Sequence, residues 1–135
     1  MVFSIFKRRF IMVHFYKFIN ELYILFNQLL TIFINNHLIH SYHQTANSKD
    51  EIIKHLAKIL DNLNYFHPFR EGNGRTQREV IRSLALLKGC SAQIRVEQDD
   101  EVYNLYMDGT VYGDLGKLEE LFGKNIKRNI GCNTW

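Results

Sequence analysis

The run His67-Pro68-Phe69-Arg70-Glu71-Gly72-Asn73-Gly74-Arg75-Thr76-Gln77-Arg78 places an imidazole, a carboxylate, two glycines around an asparagine, and two arginines three apart within twelve residues. These are the parts that hold a nucleotide polyphosphate and its metal ion beside a general base. Glycines flanking Asn73 permit the positive dihedrals of a tight nest and let an anion approach the backbone N–H groups closely. The guanidinium forks of Arg75 and Arg78 match phosphate oxygens two at a time. Glu71 suits Mg²⁺, which takes one or two carboxylates and completes its octahedron with phosphate oxygens and water. His67 is the titratable group of the run suited to accept a proton near neutral pH.

Each residue also has a plainer reading. Gly-Asn-Gly is an ordinary turn, Glu71 can pair with Arg75 or Arg78, and a lone histidine is commonly structural. Arg82 continues the arginine face but is expected to be a surface residue. Phe69 alternates with the polar positions and is expected to anchor the loop in the core. Arg75 and Arg78 lie one helical turn apart near a helix N-terminus, where cations oppose the helix dipole unless an anion compensates. That cost, and the company the residues keep, favour an anion site.

The flanking sequence supplies helices to position the run. Phe15, Phe18, Ile19, Leu22, Phe26, Leu29 and Phe33 recur at three- and four-residue steps, predicting a helix over about 15–34 with this face buried in the core. Asn35 to Asn47 is polar and reads as a loop. Ser48-Lys49-Asp50-Glu51 fits a capping box, and Ile52, Ile53, Leu56, Ile59, Leu60 and Leu63 make the stripe of a second helix. Pro68 disfavours helical geometry at His67, so this helix should stop at Tyr65 or Phe66. Val80, Ile81, Leu84 and Leu87 carry a third helix ending at Gly89. Ile94 and Val96 are expected to be extended, Glu101 to Met107 helical, and Asp114 to cap a last helix that Gly123 ends. The motif thus begins where one buried helix stops and ends inside the next, where free backbone donors and the dipole both favour negative charge.

Composition sets outer bounds. The 135 residues, 46% hydrophobic and 23% charged, fit one soluble domain. A single proline argues against a turn-rich β-sandwich and for an all-α fold. The formal net charge is +3, and much of the basic excess lies in Lys7-Arg8-Arg9 and Lys124 to Arg128, read as solvated surface or chain ends rather than a nucleic-acid site. Cys90 and Cys132 lack metal-ligand spacing and are expected to be reduced thiols in a cytoplasmic setting. Lys7 to Phe15 has the basic and apolar parts of a signal peptide, but His14 and Lys17 interrupt it and no small-residue cleavage site follows. Leu22 to Ile34 is interrupted by Asn27 and Gln28 and is too short to span a bilayer, so no membrane partner is expected.

The motif resembles the signature of the Fic family, His-x-Phe-x-[Asp/Glu]-Gly-Asn-Gly-Arg-x-x-Arg, matched here at every fixed position, with proline after the histidine. The similarity extends more faintly from about Phe15 to Leu121-Phe122. The resemblance implies a compact all-helical Fic core over 15–123, an atypical segment over 1–14 and a basic tail over 124–135. It implies protein adenylyltransferase activity, moving AMP from ATP to a Tyr, Thr or Ser hydroxyl of a target protein with Mg²⁺. His67 would then be the base, Glu71 the metal ligand, Gly72, Asn73 and Gly74 the anion hole, and Arg75 and Arg78 the holders of the distal phosphates. The related Doc-like kinases carry lysine where Gly74 stands, so Gly74 favours nucleotidyl over γ-phosphoryl transfer.

Two departures from the family pattern qualify the expectation. Family members usually have a β-hairpin flap that lays the target beside the catalytic loop by strand pairing. Met1 to His14 holds no convincing hairpin turn, which leaves a nucleotide-binding remnant without efficient transfer as the alternative. The Ser/Thr-x-x-x-Glu-Gly/Asn segment with which many members silence themselves is also missing. In an active protein, restraint would then come from an antitoxin-like inhibitor protein, from a homo-oligomer, or not at all. Delivery to other cells as an effector is the alternative to residence in the cytoplasm.

Overall fold

The computed structural model describes residues 17–25, 27–29, 31–67 and 71–129, which fall in two units divided between Phe33 and Ile34. The expected flap remnant, the anchor Phe69 and Cys132 lie outside the described residues.

The described residues of the first unit, from 17 to 33, are helical, as their 3.6-residue period predicts. Their expected burial is corrected: Phe18 is 57% exposed and Leu29 58%, and Ile19, Leu22, Ile32 and Phe33 are exposed as well. Periodicity shows that a helix has an apolar face; it does not show what that face meets. The helix over Lys17–Thr45 is long and apolar enough, by length and composition alone, to cross a membrane.

The second unit opens with a π-helical turn, Ile34–Ile39, and helix α1, His40–Thr45, where a loop was expected. The reason is a face hidden among polar residues. Leu38, Tyr42 and Ala46 stand four apart and are all buried. The Tyr42 hydroxyl donates to the Leu84 carbonyl oxygen at 2.8 Å, and burial pushes its phenol well above the usual range.

Helix α2, Lys49–Phe66, starts at the predicted capping box. The Ser48 hydroxyl accepts from the Glu51 N–H at 3.3 Å, and a Glu51 carboxylate oxygen accepts from the N–H groups of Asn47 and Ser48 at 3.0 Å each. Those backbone bonds, the Asn47 one first, hold the Glu51 carboxyl below its ordinary value. Its folded-state pKa is depressed, so its contribution is present above the unfolded carboxylate pKa and is lost as pH falls through the folded one. Ser48→Ala is expected to lower stability by about 1 kcal/mol. Urea melts at pH 7 check this, and a midpoint unchanged from wild type would contradict it.

Helix α3, Asn73–Leu87, packs on α2 through Ile81, Leu84 and Ala85. Strand β1, Cys90–Ala92, follows; Ile94 and Val96, expected to be extended, lie beyond its end. Helix α4, Asp100–Tyr112, is capped by Asp99 and runs five residues past the expected stop at Met107. Gly109 continues it because Leu118 packs on the glycine; a side-chain Cβ there would stand 2.6 Å from the Leu118 Cγ. Helix α5, Leu115–Asn125, is capped by Asp114 as expected and passes Gly123 by two residues. Strand β2, Ile126–Arg128, then pairs antiparallel with β1 in the register Cys90 to Arg128 and Ala92 to Ile126. The start of the expected basic tail is thus built into the fold, and Lys124 pairs with Glu101 and Glu120. The architecture is mostly helical with one small two-stranded sheet, and Leu56, Leu60, Ile81, Leu118, Leu121 and Phe122 form the centre of its core.

Candidate active site at the start of helix α3

His67 ends α2 in the left-handed region, with φ 40° and ψ 58°. Among the described residues it is the only non-glycine with positive φ. A non-glycine there costs on the order of 1 kcal/mol. The histidine is exposed, and its Nδ1 lies 2.9 Å from the Asn64 carbonyl oxygen. A carbonyl oxygen only accepts, so Nδ1 is the donor, and in the neutral imidazole the lone pair then falls on Nε2. The Asn64 side chain is fixed in turn, because its Nδ2 donates to the Thr110 carbonyl oxygen at 2.6 Å. The imidazole is therefore held in the tautomer of a base.

Gly72 is the N-cap of α3, with φ 77° and ψ 9°, and it offers no side-chain cap. Its carbonyl accepts the first helical bond from the Thr76 N–H at 3.0 Å. The N–H groups of the first turn are accordingly not claimed by a side-chain cap of the kind that Ser48, Asp99 and Asp114 supply to α2, α4 and α5. Asn73 is buried and begins the helix. The Arg75 guanidinium reaches back toward Gly72; a Cβ on that glycine would lie 3.6 Å from an Arg75 Nη atom. A Cβ on Gly74 would lie 3.2 Å from an Arg78 Nη atom and 3.6 Å from the Tyr106 hydroxyl. Both glycines leave room for the arginines beside the anion-binding turn.

Among the described residues Glu71 is exposed and pairs with neither Arg75 nor Arg78, so its plainer reading as a salt-bridge partner is not the arrangement found. No cluster of three or more His, Cys, Asp or Glu among the described residues could hold a metal by itself. One carboxylate without an ion-pair partner among the described residues, at the start of a helix, fits Mg²⁺ that shares its shell with a polyphosphate, and does not fit an all-protein cage.

Arg78 is the most enclosed cation of the site. Its side chain is 20% exposed and stands 3.6 Å from Glu97, which is 77% exposed. Its guanidinium lies 5.7 Å from the centre of the Tyr106 ring, a cation–π contact. The Tyr106 hydroxyl donates to the Gln77 Oε1 at 3.2 Å, and the Gln77 Nε2 donates to the Leu63 carbonyl oxygen at 3.3 Å. Burial raises the Tyr106 phenol, while Arg78 pulls in the opposite direction. Thr110 closes the network by donating to the Tyr106 carbonyl oxygen at 2.7 Å. Helices α2, α3 and α4 are thereby tied together directly behind His67 and Arg78. Sequence reading missed Asn64, Gln77, Tyr106 and Thr110, since bonds spanning 29 and 46 residues leave no local signal.

His67 stands at the end of α2, and Gly72, Asn73, Gly74, Arg75 and Arg78 stand at the start of α3. Phe69 is the one predicted site residue outside the described residues. Arg82 is bound by Glu79 through two bonds, of 2.9 and 2.6 Å, in keeping with a surface role.

A protein adenylyltransferase of Bartonella henselae is 31% identical over 75 residues, covering 56% of this chain and 14% of the relative. The Fic protein adenylyltransferase of Aedes aegypti is 26% identical over 102 residues, covering 73% of this chain and 20% of the relative. The chain therefore spans a fifth or less of the length of these curated relatives. Among solved structures, the VirB-translocated effector BepC of Bartonella tribocorum, with bound AMPPNP, superimposes with a TM-score of 0.59 at 20% identity, covering 76% of this chain and 47% of that one. That likeness shows a shared fold. The sequence model of the Fic/DOC family matches residues 9–85, which include the whole motif, and the chain belongs to that family.

Proposed function

We propose that the chain is the catalytic core of a protein adenylyltransferase, moving AMP from ATP to a Tyr, Thr or Ser hydroxyl of a target protein. The observation that carries this reading is that the His67 Nδ1 is held by the Asn64 carbonyl oxygen at the end of α2, while the next helix opens at a glycine with no side-chain cap. The relatives' printed names and the AMPPNP in the BepC structure support it.

In the proposed reaction the target hydroxyl oxygen bonds to the α-phosphorus as the bond to the bridging α–β oxygen breaks. The hydroxyl proton passes to His67 Nε2, and pyrophosphate leaves. Asn73 and the N–H groups at the start of α3 receive charge that builds on the α-phosphate oxygens. Arg75 and Arg78 hold the distal phosphates and so align the leaving group. Mg²⁺ held by Glu71 would neutralise the α- and β-phosphates. An antitoxin-like inhibitor, self-association and delivery into another cell belong to the same proposal.

Mass spectrometry tests it. Lysate proteins incubated with the chain, ATP and Mg²⁺ are expected to gain an adenylyl group on hydroxyl side chains. An adduct yield no higher than that of the His67→Ala control would sink the proposal.

A further inference from the structure

We infer that Arg95 is a third arginine of the donor-phosphate site, facing the two motif arginines from the sheet side and selecting a triphosphate over a diphosphate. The inference rests on the nucleotide reading above and names a specificity residue for it.

The observation is a cavity of about 300 Å³ between α3 and the segment that follows β1. From α3 it is lined by Arg75, Arg78, Glu79 and Arg82, at the spacing of one helical face. From the other side it is lined by Ala92, Gln93, Ile94 and Arg95. Four arginines thus line one small space, and their compensation is uneven. Arg82 is neutralised by its two bonds to Glu79. Arg78 has only the exposed Glu97 at 3.6 Å, and Arg75 has no carboxylate partner among the described residues.

Arg95 differs from all of these. Its guanidinium donates to the Gln93 Oε1 at 2.7 Å and to the Gln98 Oε1 at 3.4 Å. Both partners are neutral amides, so the side chain is oriented while its charge stays undiminished. A guanidinium oriented in advance loses less freedom when it meets an anion. Like charges gathered around a cavity repel one another, and an anion between them reverses the sign of that interaction.

The geometry also says which anion. Arg75 and Arg78 reach from the glycines of the anion-binding turn into the cavity, so the cavity continues the site away from the α-phosphate turn. The part of a nucleotide that would reach it is the outer end of its phosphate chain. A triphosphate carries more charge there than a diphosphate, and AMP carries none.

Titration calorimetry of the full chain with ATP, ADP and AMP, each with Mg²⁺, tests the inference. Arg95→Ala is expected to weaken ATP by about tenfold, as for loss of one charge-assisted bond, and to leave AMP unchanged. Arg95→Lys is expected to recover part of the loss. Arg82→Ala is expected to match wild type, because its charge is already bound by Glu79. Arg95 is exposed, so these variants keep the fold. Wild-type ATP affinity in Arg95→Ala, or an equal loss in Arg82→Ala, would overturn the role of Arg95 and leave the nucleotide reading standing. Failure of the wild type to bind ATP would overturn that reading itself.

Discussion

Replacing His67 by alanine is expected to slow adenylyl transfer by roughly 10²- to 10⁴-fold, the usual contribution of a positioned general base, while leaving ATP affinity unchanged. The separation follows from the tautomer. The bond from Nδ1 to the Asn64 carbonyl oxygen uses one ring nitrogen, and in the proposed reaction Nε2 accepts the hydroxyl proton. The phosphates are held by the start of α3 and by arginines, none of which depends on the imidazole. Rates and ATP affinities of wild type and variant, measured side by side, decide the point. A parallel fall in affinity and rate would mean that His67 supports the loop rather than the chemistry. A rate within a few fold of wild type would remove it from the mechanism altogether.

Replacing Arg78 by alanine is expected to weaken ATP by roughly 10- to 150-fold, corresponding to about 1.5–3 kcal/mol for charged hydrogen bonds, with AMP affinity unchanged. Arg78 is enclosed against the Tyr106 ring, and Tyr106 is itself held through Gln77 to the end of α2. The guanidinium is thereby aimed before any ligand arrives, so its contribution is not spent on ordering a mobile side chain. Its neighbour Glu97 is exposed and 3.6 Å away, a pair of the kind that contributes about 0–1 kcal/mol, and it yields readily to a phosphate. Arg78→Lys keeps the charge and loses the fork, and is expected to fall between the two. Equal losses for ATP and AMP would point to a disturbed fold in place of a missing phosphate contact.

The core of the site was legible because its information is local. Pro68 and Gly72 mark the stop of one helix and the start of the next, and His67 to Arg78 carries the whole constellation in sequence order. The capping box of Ser48 and Glu51 was readable for the same reason, as a pattern four residues long. The supporting network was not. Whether Gln77 meets Tyr106, or Asn64 meets Thr110, depends on how three helices pack. Arg95 lines a cavity with the motif arginines, and the strand that precedes it pairs with one 36 residues further on.

Two misreadings have instructive causes. The polar composition of Asn35 to Asn47 concealed the buried face of Leu38, Tyr42 and Ala46, and so a helix was taken for a loop. The stripe from Phe18 to Phe33 was read correctly as helical, yet its burial did not follow, since an apolar face specifies no partner.

Transfer from ATP labelled at either the α- or the γ-phosphate, with Mg²⁺ and a target lysate, separates the chemistries that this family supports. The account predicts protein label from α-labelled ATP only, and none from either nucleotide when His67 is alanine. Label from γ-labelled ATP without label from α-labelled ATP would contradict it and make the chain a kinase. Absence of both would leave a nucleotide-binding remnant and contradict it as well.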